Sequence, residues 1–354
     1  MATSRDESLT IARRAEEVLV EFRQRDRLKD GYTRIDPDLI ASGANVIVLY
    51  RELQKLLGAF IREENAAGVI VNFDRPRGMM HMTCAHELGH YFLGHASTAD
   101  ESVEDQDVNS PIEKAANLFA YHLLTPRWLV ADLMRRKGLA ATRLQDASVV
   151  YQMSLRLGIS YSAMVWQLAR LQLIQQTAAG DLARVAPASL KMHALGGKAP
   201  ASGKSDVWVI DSADKDHVLE PGTGDQFVFE LPNHLSAGHV WSVNEAASNG
   251  FQLKPFLKEF GATPHHVDGG IIVGSGPPTT RYELSVPAGL EASFDGPFER
   301  RMLRNLIALE EKRQWAPAEG IIDHLQLETK QDAILKGFSR AEAGTRLKKV
   351  DSDR

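Results

Sequence analysis

His86 and His90 stand four positions apart, with Glu87 directly after the first, in the run His86-Glu87-Leu88-Gly89-His90. On a helix, positions i and i+4 share a face, so both imidazoles could reach one metal ion. Zinc suits them, because neutral imidazole binds it well and three protein ligands leave one coordination position for water. A carboxylate at Glu87 could take that water's proton as the metal sharpens it into a nucleophile. The chemistry such an arrangement performs is hydrolysis of a peptide bond. From Met82 to Leu93 the apolar residues recur at helical spacing, which predicts a partly buried helix with both rings on one side. Two His and a Glu on so apolar a helix are hard to satisfy without a shared ligand. Gly89 is a poor interior helix residue and would remove bulk beside a metal.

A third protein ligand has to come from elsewhere. The extended form of the motif would need a His six residues after His90; that position is Ala96, and His95 falls one short. The other solution takes a Glu from a second helix. Ser110 can cap and Pro111 can open a helix that Pro126 closes. Its buried stripe would be Ala116, Phe119, Ala120 and Leu123, with Glu113 at the head of that stripe. A carboxylate leading an apolar face needs something positive in front of it, so Glu113 is the expected third ligand.

HELGHYFLGH followed by E-x-x-A-N-x-F-A-x-x-L-L-x-P resembles the ImmA/IrrE family of zinc metallopeptidases, over roughly residues 8 to 178. The resemblance implies that His86, His90 and Glu113 hold the metal and that Glu87 is the catalytic base. Zinc is the cofactor it implies, with manganese acceptable to the same ligands. The approach is also similar, with Gly68-Val69-Ile70-Val71-Asn72, then Arg75 and Arg77, leading into the motif helix. The β-branched run Val69-Ile70-Val71 predicts a strand on its own account. In such peptidases an edge strand of this kind can pair with an extended substrate.

At 354 residues the chain is long enough for two or three domains, and its net charge of −5 gives no global attraction to nucleic acid. The single cysteine, Cys84, excludes an internal disulfide framework. No apolar run reaches membrane-spanning length, and the start MATSRDES lacks a signal peptide's apolar stretch, so the expected compartment is the cytoplasm. A Cys84 thiolate on the open metal position would make a switch, but Cys84 is two positions before His86 and points about 200° away round the helix. A small buried residue is the better expectation.

The expected fold class is α+β: a helix-rich zincin-like metallopeptidase domain with a helix-turn-helix-like lobe, then an all-β, sandwich-like domain. Residues 1–135 would form the peptidase domain, with helices over 8–24 and 37–40, a further helical segment over Val46 to Leu57 capped by Asn45, and a short strand over 59–62. The acidic stretch 96–109, with Asp100, Glu101, Glu104 and Asp107, reads as an exposed loop between the metal motifs. Residues 136–178 read as two helices about Gly158-Ile159-Ser160. The second helix would offer Tyr161, Ser162, Gln167 and Arg170 to DNA, with one cation among them, so a structural lobe is favoured. Residues 179–206 read as a flexible linker. Residues 207–300 show short strands between Gly/Pro turns (207–210, 226–231, 239–243, 270–274, 282–286) and weakly resemble chagasin-type inhibitor domains, with the family's N-P-T-T-G-Y signature replaced by N-H-L-S-A-G-H. His265-His266 reads as an exposed pair. Residues 301–354 read as a helix from Phe298 through Leu309 and a charged tail.

The function expected is a zinc-dependent endopeptidase that cleaves one protein partner. The resemblance implies a helix-turn-helix repressor whose loss releases stress-response, mobile-element or phage-defence genes. The competing expectation is a non-catalytic DNA- or protein-binding regulator with a structural or vestigial metal. Glu87 favours the enzyme, because a binding protein needs no carboxylate there.

Overall fold

The computed structural model describes residues 5–64, 66–97, 110–222, 224–244, 248, 251–255, 279–285, 304–313, 315, 320–330 and 337–338. It is mixed α+β and divides into two compact units. The first runs up to Arg184 and includes a short strand near the C-terminus; the second begins at Val185. No unit boundary falls at residue 135, so the motif helices and the helix-turn-helix share one body.

In the first unit, α1 (Arg5–Glu21) buries Ile11, Ala15, Val18 and Leu19 but leaves Leu9 56% exposed. The expected helix over 8–24 stops earlier, because Arg23 turns left-handed (φ 51°) and α2 (Gln24–Lys29) begins after it. Asp36 caps α3 (Pro37–Gly43) by accepting from the amides of Asp38 and Leu39. Val46 to Leu57, expected as a helix, is not helical. Asn45 is left-handed (φ 57°), and Val46–Arg51 is strand β1, burying Val46, Val48 and Tyr50 in alternation. The β-branched Val46-Ile47-Val48 run fits a pleated, half-buried surface better than a helix.

β2 (Gly58–Arg62) and β3 (Ala67–Asn72) follow, and the sheet order is β12-β1-β3-β2, with β12 at Gly337–Phe338. β3 pairs in parallel with β1 and antiparallel with β2. Val69 to Val71 therefore lies inside the sheet, and the expected edge role passes to β2. That follows from β1 being a strand, since it occupies the other flank of β3.

α4 (Arg77–Leu93) packs on β2 and β3, and α5 (Pro111–Leu124) packs along α4. Gly89 makes that packing possible. A Cβ there would meet the Ala116 carbonyl oxygen at 3.0 Å and its Cα at 3.1 Å. Glycine inside a helix costs about 1 kcal/mol against alanine. Pressing a side chain into a packed backbone typically costs about 1–3 kcal/mol, so closeness wins. The residue clears room for α5 rather than for a metal. The acidic stretch 98–109 before α5 lies outside the described residues.

α6 (Arg127–Arg136) leads to α7 (Ala147–Leu157) and α8 (Tyr161–Arg170). Gly158 (φ 68°) ends α7, and Ser160 caps α8 by accepting from the Ala163 amide, as the sequence predicts. The turn between them is packed against α4. A Cβ on Gly78 would lie 2.5 Å from the Ile159 carbonyl carbon, and His81 Nδ1 sits 2.9 Å from the Gly158 oxygen. Of the residues expected to face DNA, Tyr161 and Gln167 are buried: Tyr161 donates to the Leu182 carbonyl on α9 (Gln176–Ala183), and Gln167 to that of Thr125. The surface of α8 is left to Ser162, Trp166 and Arg170. α8 is a core element of its unit.

The stretch 179–206 is not a plain linker. It contains the end of α9 and all of α10 (Pro187–Ala194), and Lys191 Nζ donates to the Ser205 carbonyl at 2.8 Å, holding the glycine-rich segment. In the second unit, β4 (Val207–Ile210), β6 (Gln226–Pro232), β9 (Thr279–Ser285) and β8 (Gln252–Pro255) form one sheet in that order. Ala194 and Leu195 pack on Val207 and Val228 of that sheet. The other sheet is β5 (Val218–Leu219), β11 (Asp323–Lys330), β10 (Arg304–Arg313) and β7 (His239–Val243). β10 overturns the helix expected through Leu309, and β11 lies in the expected charged tail. In β10, Asn305, Ile307, Leu309 and Glu311 are buried in alternation between β7 and β11. Buried Glu311 accepts from His234 at 2.9 Å, so this charged position is tolerated in a strand core. The expected strand 270–274, His265-His266 and residues 339–354 lie outside the described residues.

Candidate metal centre

α4 and α5 bring the predicted residues together. His86 Nε2 and His90 Nε2 are 3.2 Å apart. Glu113 reaches both with its two carboxylate oxygens, at 3.0 Å from His86 and 3.3 Å from His90. Ligands about 2.0–2.1 Å from a tetrahedral zinc stand about 3.3 Å from one another, so the triangle already has a zinc site's dimensions. His90 is fully buried, and Glu113 and His86 are largely covered.

The donor set itself asks for a cation. His86 Nδ1 lies 3.1 Å from Asn117 Oδ1, an acceptor, so that nitrogen carries the proton and a neutral ring turns its Nε2 lone pair toward His90 and the carboxylate. Acceptor atoms crowded this closely need a proton or a metal between them. Without metal the proton serves. Burial works against protonating His86, but the Glu113 hydrogen bond and the charges of Glu87 and Glu113 raise its pKa above the ordinary value. The same bonds from His86 and His90 hold Glu113 well below the usual carboxylate range. His86, His90 and Glu113 could therefore hold a divalent ion without rearrangement.

Two residues without an expected role support the triangle. Asn117, one turn after Glu113, orients His86, and His95 Nδ1 lies 3.1 Å from His90 Nδ1. Burial, then the neighbouring His90, keeps the His95 pKa low. The sequence signal for Asn117 was its i+4 spacing from Glu113; for His95 it was proximity to His90, set aside because the spacing was wrong for a ligand. Replacing Asn117 with Ala should weaken zinc binding by about 10–100-fold, read by competition with a fluorescent chelator.

Glu87 offers a second carboxylate, with an oxygen within 4.8 Å of ligand atoms on both His86 and His90. It differs from Glu113 in chemistry. Its Oε2 is buried with no hydrogen-bond partner among the described residues, and burial pushes its pKa up to about 7. The His86 charge opposes that rise and the Glu113 charge adds to it. Glu113 is bonded as a ligand would be; Glu87 is poised as a proton acceptor would be.

Above Glu87 lies the edge strand. A Cβ on Gly58 would stand 2.5 Å from Thr83 Cγ2 and 2.9 Å from Glu87 Oε1, so only glycine lets β2 pass this close. The Leu57 carbonyl bonds the Asn72 amide inside the sheet. By antiparallel alternation, Gly58 turns its backbone groups to the open side. A cleft of about 390 Å³ contains Gly58, His86, Glu87 and Glu113, with Leu57, Met79 and Met82 as its apolar wall. Cys84 is not part of it: the thiol is buried beside Asp38 Oδ1 at 3.6 Å, and burial, then Asp38, raises its pKa well above normal.

No curated protein matched the chain. Among solved structures, it is similar to the cysteine protease inhibitor EhICP2 from Entamoeba histolytica, at 14% identity and a TM-score of 0.25, over 37% of this chain and 100% of that one. So slight a likeness carries no argument about this chain. Residues 41–163 match the model of the IrrE N-terminal-like domain, Peptidase_M78, a span that runs from α3 through both metal motifs into α8. Over that span the chain is thus similar to the IrrE N-terminal-like peptidase domain, a likeness that supports a metallopeptidase-like function.

Proposed function

We propose that the chain is a zinc-dependent endopeptidase in which His86, His90 and Glu113 hold the metal and Glu87 is the general base. The observation that carries the reading is the contrast between two adjacent carboxylates: Glu113 bonded to both imidazoles, Glu87 buried and unbonded. Zinc, or manganese in its place, supplies Lewis acidity toward water and toward a peptide carbonyl when bound.

The protein's own groups do the rest. An extended substrate segment adds to the free edge of β2 at Gly58, which aligns its backbone over Glu87. Glu87 takes a proton from the attacking water and passes it to the leaving amine. Asn117 and His95 keep the two imidazoles in register. The apolar wall of Leu57, Met79 and Met82 receives a side chain beside the scissile bond and excludes water.

The substrate we propose is a helix-turn-helix repressor in the cytoplasm, on the strength of the family resemblance; no helix among the described residues is long and apolar enough to cross a membrane. The alternative of a DNA-reading regulator is weakened by the burial of Tyr161 and Gln167. Incubating the zinc-loaded protein with repressors encoded beside its gene should yield two fragments from one of them, and a chelator should stop the reaction. Intact repressors throughout, with zinc stoichiometrically bound, would sink this reading.

A further inference from the structure

A second groove opens on the other side of Asn117. It has a volume of about 740 Å³, and Asn117 lines both it and the metal cleft, so the two adjoin at that residue. Arg5 and Leu9 of α1, Lys114 and Leu118 of α5 and Arg170 at the end of α8 line it. Among the described residues, none lining it is acidic. That is notable in a chain with 46 acidic and 41 basic residues. Arg170 is exposed and lies over the Tyr121 ring at 4.0 Å, which fixes its guanidinium at the rim. Leu9 departs from the buried stripe of α1, at 56% exposure, and supplies apolar surface between the cations.

We infer that this groove is an exosite for an acidic segment of the polypeptide substrate, lying to one side of the bond that the metal cleft cuts. The inference rests on the peptidase reading above. Three features select this occupant. The shared residue Asn117 means that a chain leaving the cleft past it reaches the groove next. The cations Arg5, Lys114 and Arg170 complement carboxylates, and the strip of Leu9 and Leu118 takes aliphatic side chains between them. A phosphate backbone would find no use for that strip. The device lets a peptidase with a tolerant apolar cleft choose one protein: the cleft accepts many apolar side chains, whereas the groove requires negative charge at a fixed distance from the cut.

The test uses the full-length, zinc-loaded protein and fluorescein-labelled peptides of repeated Leu-Glu-Gly or Leu-Lys-Gly, with binding read by anisotropy. The acidic peptide should bind about tenfold more tightly, the sum of three exposed ion pairs, and the difference should shrink as salt is raised. Arg5→Gln, at an exposed position, should lower the preference about twofold to threefold. The double reversal Lys114→Glu with Arg170→Glu should invert it while zinc content and circular dichroism stay unchanged. Equal affinity for the two peptides, a preference that survives the reversal, or tight binding of a labelled DNA duplex that the reversal abolishes would each overturn the exosite. If the acidic preference is found but no peptide or repressor is cut, the groove stands and the peptidase reading falls. Cleavage without charge preference has the opposite meaning.

Discussion

Glu87→Gln should retain zinc and lose cleavage by about 10²–10⁴-fold, the range that a positioned general base contributes. The substitution keeps the side chain's shape under Gly58 and Thr83, where a larger group would collide with β2. It removes the carboxylate of the cleft that is bonded to neither imidazole. Stability should hold or rise slightly. Glu87 is buried with an oxygen that bonds nothing among the described residues, and a neutral amide costs less to bury than a carboxylate. Zinc content by mass spectrometry and cleavage rate on the same preparation decide the matter. A variant that still cuts at more than a tenth of the parent rate would remove Glu87 from the mechanism, while one that loses zinc would make it a ligand.

Glu113→Ala should have the reverse signature: zinc binding weakened by more than about a hundredfold, beyond the range seen for outer partners of metal ligands, with activity lost as a consequence. Among the described residues, Glu113 alone reaches both imidazoles from a different helix, so it also ties α5 to α4. At zinc one hundredfold above its dissociation constant, binding adds about 2.7 kcal/mol to stability, or about 5–10 °C in Tm for a unit of this size. Adding chelator should lower the parent's melting temperature by that amount and leave the variant's unchanged. A variant that keeps full zinc occupancy would hand the third position to Glu87, the other carboxylate within reach.

The site was legible in the sequence to an unusual degree because its geometry is local. His86, Glu87 and His90 need only one helical turn, and the cap-to-proline frame from Ser110 to Pro126 fixes which face Glu113 shares with Ala116 and Phe119. What could not be read was the distance between the helices. Gly89 looked like a cleared space beside a metal; in three dimensions it is the contact with Ala116 that brings Glu113 within bonding range. Asn117 and His95 were visible as residues but not as partners, since an orienting hydrogen bond depends on where a second helix or a following turn lands.

The failures share a cause as well. The sequence reads as helix over Val46 to Leu57 and from Phe298 through Leu309, yet Val46–Arg51 and Arg304–Arg313 are strands, the second of them rich in Leu, Ala, Glu and Lys. Both are strands because partners far along the chain claim their backbone groups: Ala67–Asn72 for the first, β7 and β11 for the second. Helix propensity is worth a few tenths of a kcal/mol per residue, and pairing with burial outweighs it. The same non-local pairing moved the edge of the sheet from Val69–Val71 to Gly58–Arg62 and set that edge over Glu87. The amino-acid sequence by itself determined which groups could hold a metal, since residue types and helical spacing are properties of one short stretch. Only the tertiary structure decided which strand forms the sheet's edge beside Glu87, which helix faces water and which groove adjoins the cleft, because those depend on contacts between segments that no local pattern encodes.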